Sequence, residues 1–141
     1  MKKVFLLFVM IMTSTITTAQ DFNIVGKWEG IDPDGEYFAL TLDPKGFFCV
    51  TNGVEVFGGE SVDMGDNIIA DFTYEVNMKS EPFLLDFITY NVNDREQYKR
   101  YRGYFKIINK NAIEVKQEMF SDNNTWYEDL DIFILKRQIV K

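Results

Sequence analysis

Ile68-Ile69-Ala70-Asp71-Phe72-Thr73-Tyr74-Glu75-Val76-Asn77-Met78 decides the fold class. One face carries Ile68, Ala70, Phe72, Tyr74, Val76 and Met78; the other carries Asp71, Thr73, Glu75 and Asn77. A two-residue period with apolar groups on one side describes a strand between a core and water. Residues 112–119 repeat it, with Ile113, Val115, Gln117 and Met119 against Ala112, Glu114, Lys116 and Glu118. So do residues 36–42, where Phe38, Leu40 and Leu42 oppose Tyr37, Ala39 and Thr41.

Outward from these, strands are expected at 24–30, 47–51, 54–57, 83–91, 101–108 and 130–136. Between them lie Asp32-Pro33-Asp34-Gly35, Asp43-Pro44-Lys45-Gly46, Asn52-Gly53, Gly58-Gly59 and Gly65-Asp66-Asn67. Such residues supply the backbone conformations that chain reversals need. No stretch beyond the N-terminal segment shows a helical apolar stripe. Eight or nine short strands with no long crossover predict an all-β protein, an antiparallel up-and-down β-barrel.

The N-terminal segment differs. Lys2 and Lys3 precede an unbroken apolar run, Val4 to Met12, and then Thr13-Ser14-Thr15-Ile16-Thr17-Thr18-Ala19. That is the three-part pattern of a cleavable signal peptide, residues 1–19, with cleavage expected after Ala19. The apolar run is shorter than the roughly 20 residues of a membrane-spanning helix. No Cys follows it to accept a lipid. The expected product is a single domain, residues 20–141, secreted or periplasmic, with no transmembrane segment. Loss of Lys2 and Lys3 takes the formal charge from −7 to −9. An acidic surface repels phosphate backbones and anionic membranes, which argues against a nucleic-acid partner.

The single cysteine, Cys49, allows no intrachain disulfide and sits in the apolar stretch Phe47-Phe48-Cys49-Val50, where a buried inert thiol is expected. Aromatic residues make up 16% of the chain, ample material for a core held by packing alone.

Chemistry is scarce. The absence of His removes the commonest general base and most transition-metal sites. No cofactor and no metal site are expected. Asp32-x-Asp34-Gly35-Glu36 clusters oxygens but lacks the length of a calcium loop and reads as a turn. Asp86, Asp131 and Glu60 are the acids that a carboxylate-based hydrolase would have to use, facing each other across a cleft. Alternation accounts for Asp86 and Asp131 as outward-facing residues, so no catalytic residue is assigned. Arg95-Glu96-Gln97-Tyr98-Lys99-Arg100-Tyr101-Arg102 is the one basic run. It would grip an anion or pair with neighbouring acids. The loop Ser121-Asp122-Asn123-Asn124-Thr125-Trp126-Tyr127 would bring two large aromatics to a barrel rim.

The stretch Ile24-Val25-Gly26-Lys27-Trp28-Glu29-Gly30, with its Gly-x-Trp, resembles the first strand of lipocalins and their calycin relatives. The resemblance implies that Trp28 closes one end of the barrel and that a basic residue after the last strand packs over its ring. In Ile132-Phe133-Ile134-Leu135-Lys136-Arg137, Arg137 is the better match. Tyr74 to Asp86, followed by Arg102-Gly103-Tyr104-Phe105, looks like the central part of small bacterial lipocalin-like secreted domains. The likeness spans most of residues 22–137.

The expected function is non-catalytic binding of a small apolar or amphipathic ligand inside the barrel, lined by Trp28, Phe38, Phe72, Tyr74, Phe87 and Phe105. An eight-stranded barrel either holds one small ligand or fills with its own side chains. The alternative is therefore a structural or interaction module with a self-filled core, whose partner is another envelope protein. An interior void of about 300 Å³ or more separates the two.

Overall fold

The computed structural model describes residues 22–120 and 130–139. The expected signal peptide, residues 1–19, and the loop 121–127 lie outside the described residues. The described residues form eleven strands: β1 (Gly26–Ile31), β2 (Tyr37–Leu42), β3 (Phe48–Asn52), β4 (Glu55–Gly58), β5 (Val62–Asp63), β6 (Ile69–Asn77), β7 (Phe83–Asn91), β8 (Asp94–Tyr101), β9 (Gly103–Asn109), β10 (Ala112–Gln117) and β11 (Phe133–Arg137). A short 3-10 turn, Glu118–Phe120, follows β10. No helix among the described residues is long and apolar enough to cross a membrane.

The strands make one antiparallel, nearly closed barrel. Its circuit runs β3-β2-β1-β11-β10-β9-β7-β6, eight staves joined in an up-and-down order. Between β3 and β6 the wall is completed sparsely. Phe47 bridges Thr73, the Tyr74 amide donates to the Gly46 carbonyl, and the Phe72 amide to that of Gly59, both at 2.9 Å.

Eleven strands stand where eight or nine were expected, and the surplus has a physical cause. β8 and β9 are one long strand interrupted at Arg102, with β7 pairing both (Phe87 with Tyr101, Phe83 with Phe105). The break sits where β9 passes under Gln117. A Cβ on Gly103 would fall on the Leu85 carbonyl oxygen and on Gln117 Nε2, so only glycine fits this crossing. Gln117 is itself fully buried and donates to that same carbonyl at 2.9 Å. β5 is a two-residue edge, too short to leave a periodic signal. The strand expected through Met119 ends at Gln117 in the 3-10 turn, and the last strand begins at Phe133 rather than at 130.

An up-and-down barrel has two distinct ends. One holds the start of β1, the end of β11 and the β2–β3, β6–β7 and β9–β10 turns. The other holds the β1–β2 turn, the β7–β8 hairpin and the 3-10 turn. Between them lies a continuous core of Trp28, Leu40, Leu42, Phe48, Val50, Leu85, Phe87, Phe105, Ile113, Val115 and Leu135. Phe48 and Phe87 stack with ring centres 4.0 Å apart. Phe120, delivered by the 3-10 turn, packs edge-on against Phe38, Phe87 and Phe133. Each large apolar side chain buried this way contributes roughly 1.5–3 kcal/mol.

Candidate functional site

Cross-strand register shows where the packed interior ends. Tyr74, Phe87 and Tyr101 form one rung of the inner face across β6, β7 and β8, and Phe72, Thr89 and Lys99 form the next. Phe87 is fully buried, whereas Lys99, one rung further along β8, is exposed. Beyond Phe87 the inner face of β8 therefore leaves the core, while Phe72 across β7 stays buried.

Where β8 leaves the core lies a groove of about 530 Å³. Phe72 and Tyr101 lie at its base, and Phe57, Met64, Ile68 and Met119 close round it. Met64, Ile68 and Phe57 are 56%, 44% and 41% exposed, apolar side chains left facing water beside a cavity. Asp71, on the outer face of β6, ties the walls together. It is only 5% exposed, accepts the Ser61 amide at 2.8 Å and pairs with Arg95 at 3.1 Å. One carboxylate thus links the segment before Met64 to the β7–β8 hairpin.

The six residues expected to line a ligand all lie on the inner face, but other aromatic rings of the core fill the space between them. Phe38 packs on Phe120 and Phe133, Phe72 and Phe87 on Phe48, Phe105 on Phe83 and Phe22, and Trp28 on Phe22. The Tyr74 hydroxyl donates to the Asp43 carbonyl at 2.6 Å, and burial holds its pKa above the ordinary phenol value. Of the six, Phe72 alone borders the groove.

At the opposite end, the Arg137 guanidinium lies over the Trp28 indole, 4.2 Å from its centre. Arg137 also donates to the Val25 carbonyl at 2.7 Å and to that of Asn23, and Trp28 Nε1 donates to the Ile24 carbonyl at 2.8 Å. Cation, ring and backbone lock the N-terminal stretch to the last strand.

The basic run divides by face. Arg100 reaches across the outer face to Glu75 (3.0 Å) and Asp86 (2.9 Å), and those two hydrogen bonds raise its pKa. Arg95 is held by Asp71. Lys99 points the other way, its ammonium 4.7 Å from the centre of the Tyr101 ring. Asp86 is therefore engaged, while Glu60 and Asp131 are exposed. Asp32 Oδ1 accepts the Asp34 and Glu36 amides, building the β1–β2 turn. Cys49 is half-buried, and burial pushes its thiol pKa up, away from the reactive thiolate.

No protein-family model, curated protein or solved structure matches the chain.

The groove was only half visible in the sequence. Ile68, Ala70 and Phe72 stood on the apolar face of the opening stretch, and Tyr98 and Tyr101 in the basic run. Phe57, Met64 and Met119 were missed as site residues. The signal available was apolar side chains placed beside glycine, Phe57 at the end of an expected strand before Gly58-Gly59 and Met64 before the Gly65 turn.

Proposed function

We propose that this protein is an exported, non-catalytic, lipocalin-like barrel that binds a small apolar or amphipathic ligand at its open end. The supporting observation is the groove between the 3-10 turn and the β6–β7–β8 hairpin. Its volume falls within the roughly 300–1,000 Å³ of small-molecule sites, and apolar side chains dominate its lining. The interior is the weaker location, because the rings expected to surround a ligand pack against Phe22, Phe48, Phe83, Phe120 and Phe133 instead. Export rests on the three-part N-terminal pattern, Lys2 to Ala19.

The filled core favours a second reading, an interaction module of the cell envelope whose barrel serves only as a scaffold. The two separate in one titration. A fluorescent apolar probe, anilinonaphthalene sulfonate, is added to the folded protein and to Met64→Glu and Ile68→Glu variants. Saturable one-to-one binding that weakens tenfold or more in both variants supports the binder. No saturable binding, or binding indifferent to both changes, overturns it and leaves the scaffold reading.

A further inference from the structure

We propose that the ligand of this groove is a single-chain amphiphile with an anionic head group, and that Lys99 receives the head. The inference rests on the groove being a binding site, as proposed above, and names the chemistry it selects. Three observations carry it.

First, Lys99 is the one charged side chain among the thirteen residues that line the groove. The remainder are aromatic, aliphatic, thioether, hydroxyl or amide groups. Second, among the described residues its charge meets the Tyr101 ring and no carboxylate. The two arginines of the same strand, Arg95 and Arg100, are matched by Asp71, Glu75 and Asp86 on the outer face. Lys99 has no carboxylate within ion-pair distance among the described residues, although the chain carries 22 acids against 15 bases. Third, its position is imposed by register. Lys99 sits opposite Thr89 and, across β7, in line with Phe72, one step outward from the sealed rung of Tyr74, Phe87 and Tyr101. A chain lying along Phe72, Ile68, Met64 and Met119 would have its tail against the core and its head at the lip. There the ammonium, and the Asn91 and Gln97 amides bonded to each other at 3.2 Å, supply the polar groups.

A second opening, of about 680 Å³ along Glu75 to Lys79 with Leu84 and Asp86, lacks this asymmetry. It mixes both signs of charge, and Arg100 already holds two of its carboxylates. The acidic surface of the whole molecule opposes approach to an anionic bilayer, so the inference commits to a free amphiphile rather than a membrane face.

Calorimetry on the folded full-length domain tests this with dodecanoate, decanoate, dodecan-1-ol and dodecyltrimethylammonium. Dodecanoate is expected to bind best, and each methylene removed should weaken binding about three- to fourfold. Lys99→Met should cost dodecanoate up to about fivefold, as for a solvent-exposed ion pair, and leave dodecanol unchanged. Lys99→Arg should restore the difference, and added salt should erase it. Equal affinity for the carboxylate, the alcohol and the ammonium overturns the head-group inference while leaving the groove a binding site. Failure of all four to bind overturns both. Sedimentation with phosphatidylglycerol vesicles is expected to be absent, and its presence would contradict a free ligand.

Discussion

At the Arg137 end of the barrel Trp28 has no exposed surface. Phe22 covers one side, the guanidinium lies on its face, and its Nε1–H is bonded to the Ile24 carbonyl. At the hairpin end Phe72 and Tyr101 also belong to the inner face, yet Met64, Ile68 and Phe57 beside them remain open to water. The same inward-facing alternation builds both ends. What separates them is what covers the inner rings: an arginine and the backbone carbonyls it holds at one end, half-exposed apolar side chains at the other. Residues with every polar and apolar contact satisfied contribute stability, whereas an apolar surface left exposed beside Lys99, a cation with no carboxylate partner among the described residues, retains the capacity to bind.

The sharpest way to break this contrast is Trp28→Ala. Removing the most buried aromatic of the closed end should cost about 3–5 kcal/mol, read by urea unfolding. A loss below about 1 kcal/mol would mean that the closed end is not a structural lock. Arg137→Met should follow at about 1–3 kcal/mol, because the Val25 and Asn23 carbonyls lose a charged donor. Arg137→Lys should recover only part of it, since one ammonium cannot span ring and carbonyls together. Asp71→Asn comes next. It keeps the shape but weakens the tie between the Ser61 segment and Arg95, and should lower stability by about 1 kcal/mol while loosening both groove walls. The smallest stability effect belongs to Ile68→Ser, within about 0.5 kcal/mol at its exposed position. Its signature is a loss of amphiphile affinity with an unchanged unfolding curve, the inverse of Trp28→Ala.

Much of the fold was legible because alternation reports burial on one face. Three strands followed from it directly, and turn residues such as Asp32-Pro33-Asp34-Gly35 and Asn52-Gly53 marked reversals between the expected strands. β8 did not. Its sequence, Asp94-Arg95-Glu96-Gln97-Tyr98-Lys99-Arg100-Tyr101, is polar on both faces because the hairpin projects past the core, so no period marks it. The candidate site was less legible for a related reason. Lys99 and Arg100 are adjacent in one basic run, and only pairing with β7 separates the residue facing the groove from the one facing Glu75 and Asp86. Whether Phe38 and Phe87 line a void or fill it depends on Phe120, which the 3-10 turn brings in from more than thirty residues beyond Phe87. Such a contact leaves no local pattern.

The central claim, a barrel sealed by its own aromatics that binds only at its open end, is tested most directly by amide and indole NMR shifts during titration with dodecanoate. Perturbations are expected to be confined to Ile68, Phe72, Thr89, Lys99, Tyr101 and Met119, with the Trp28 indole N–H unmoved. Shifts centred on Trp28, Leu40 and Phe105 would place the ligand inside the barrel and contradict it.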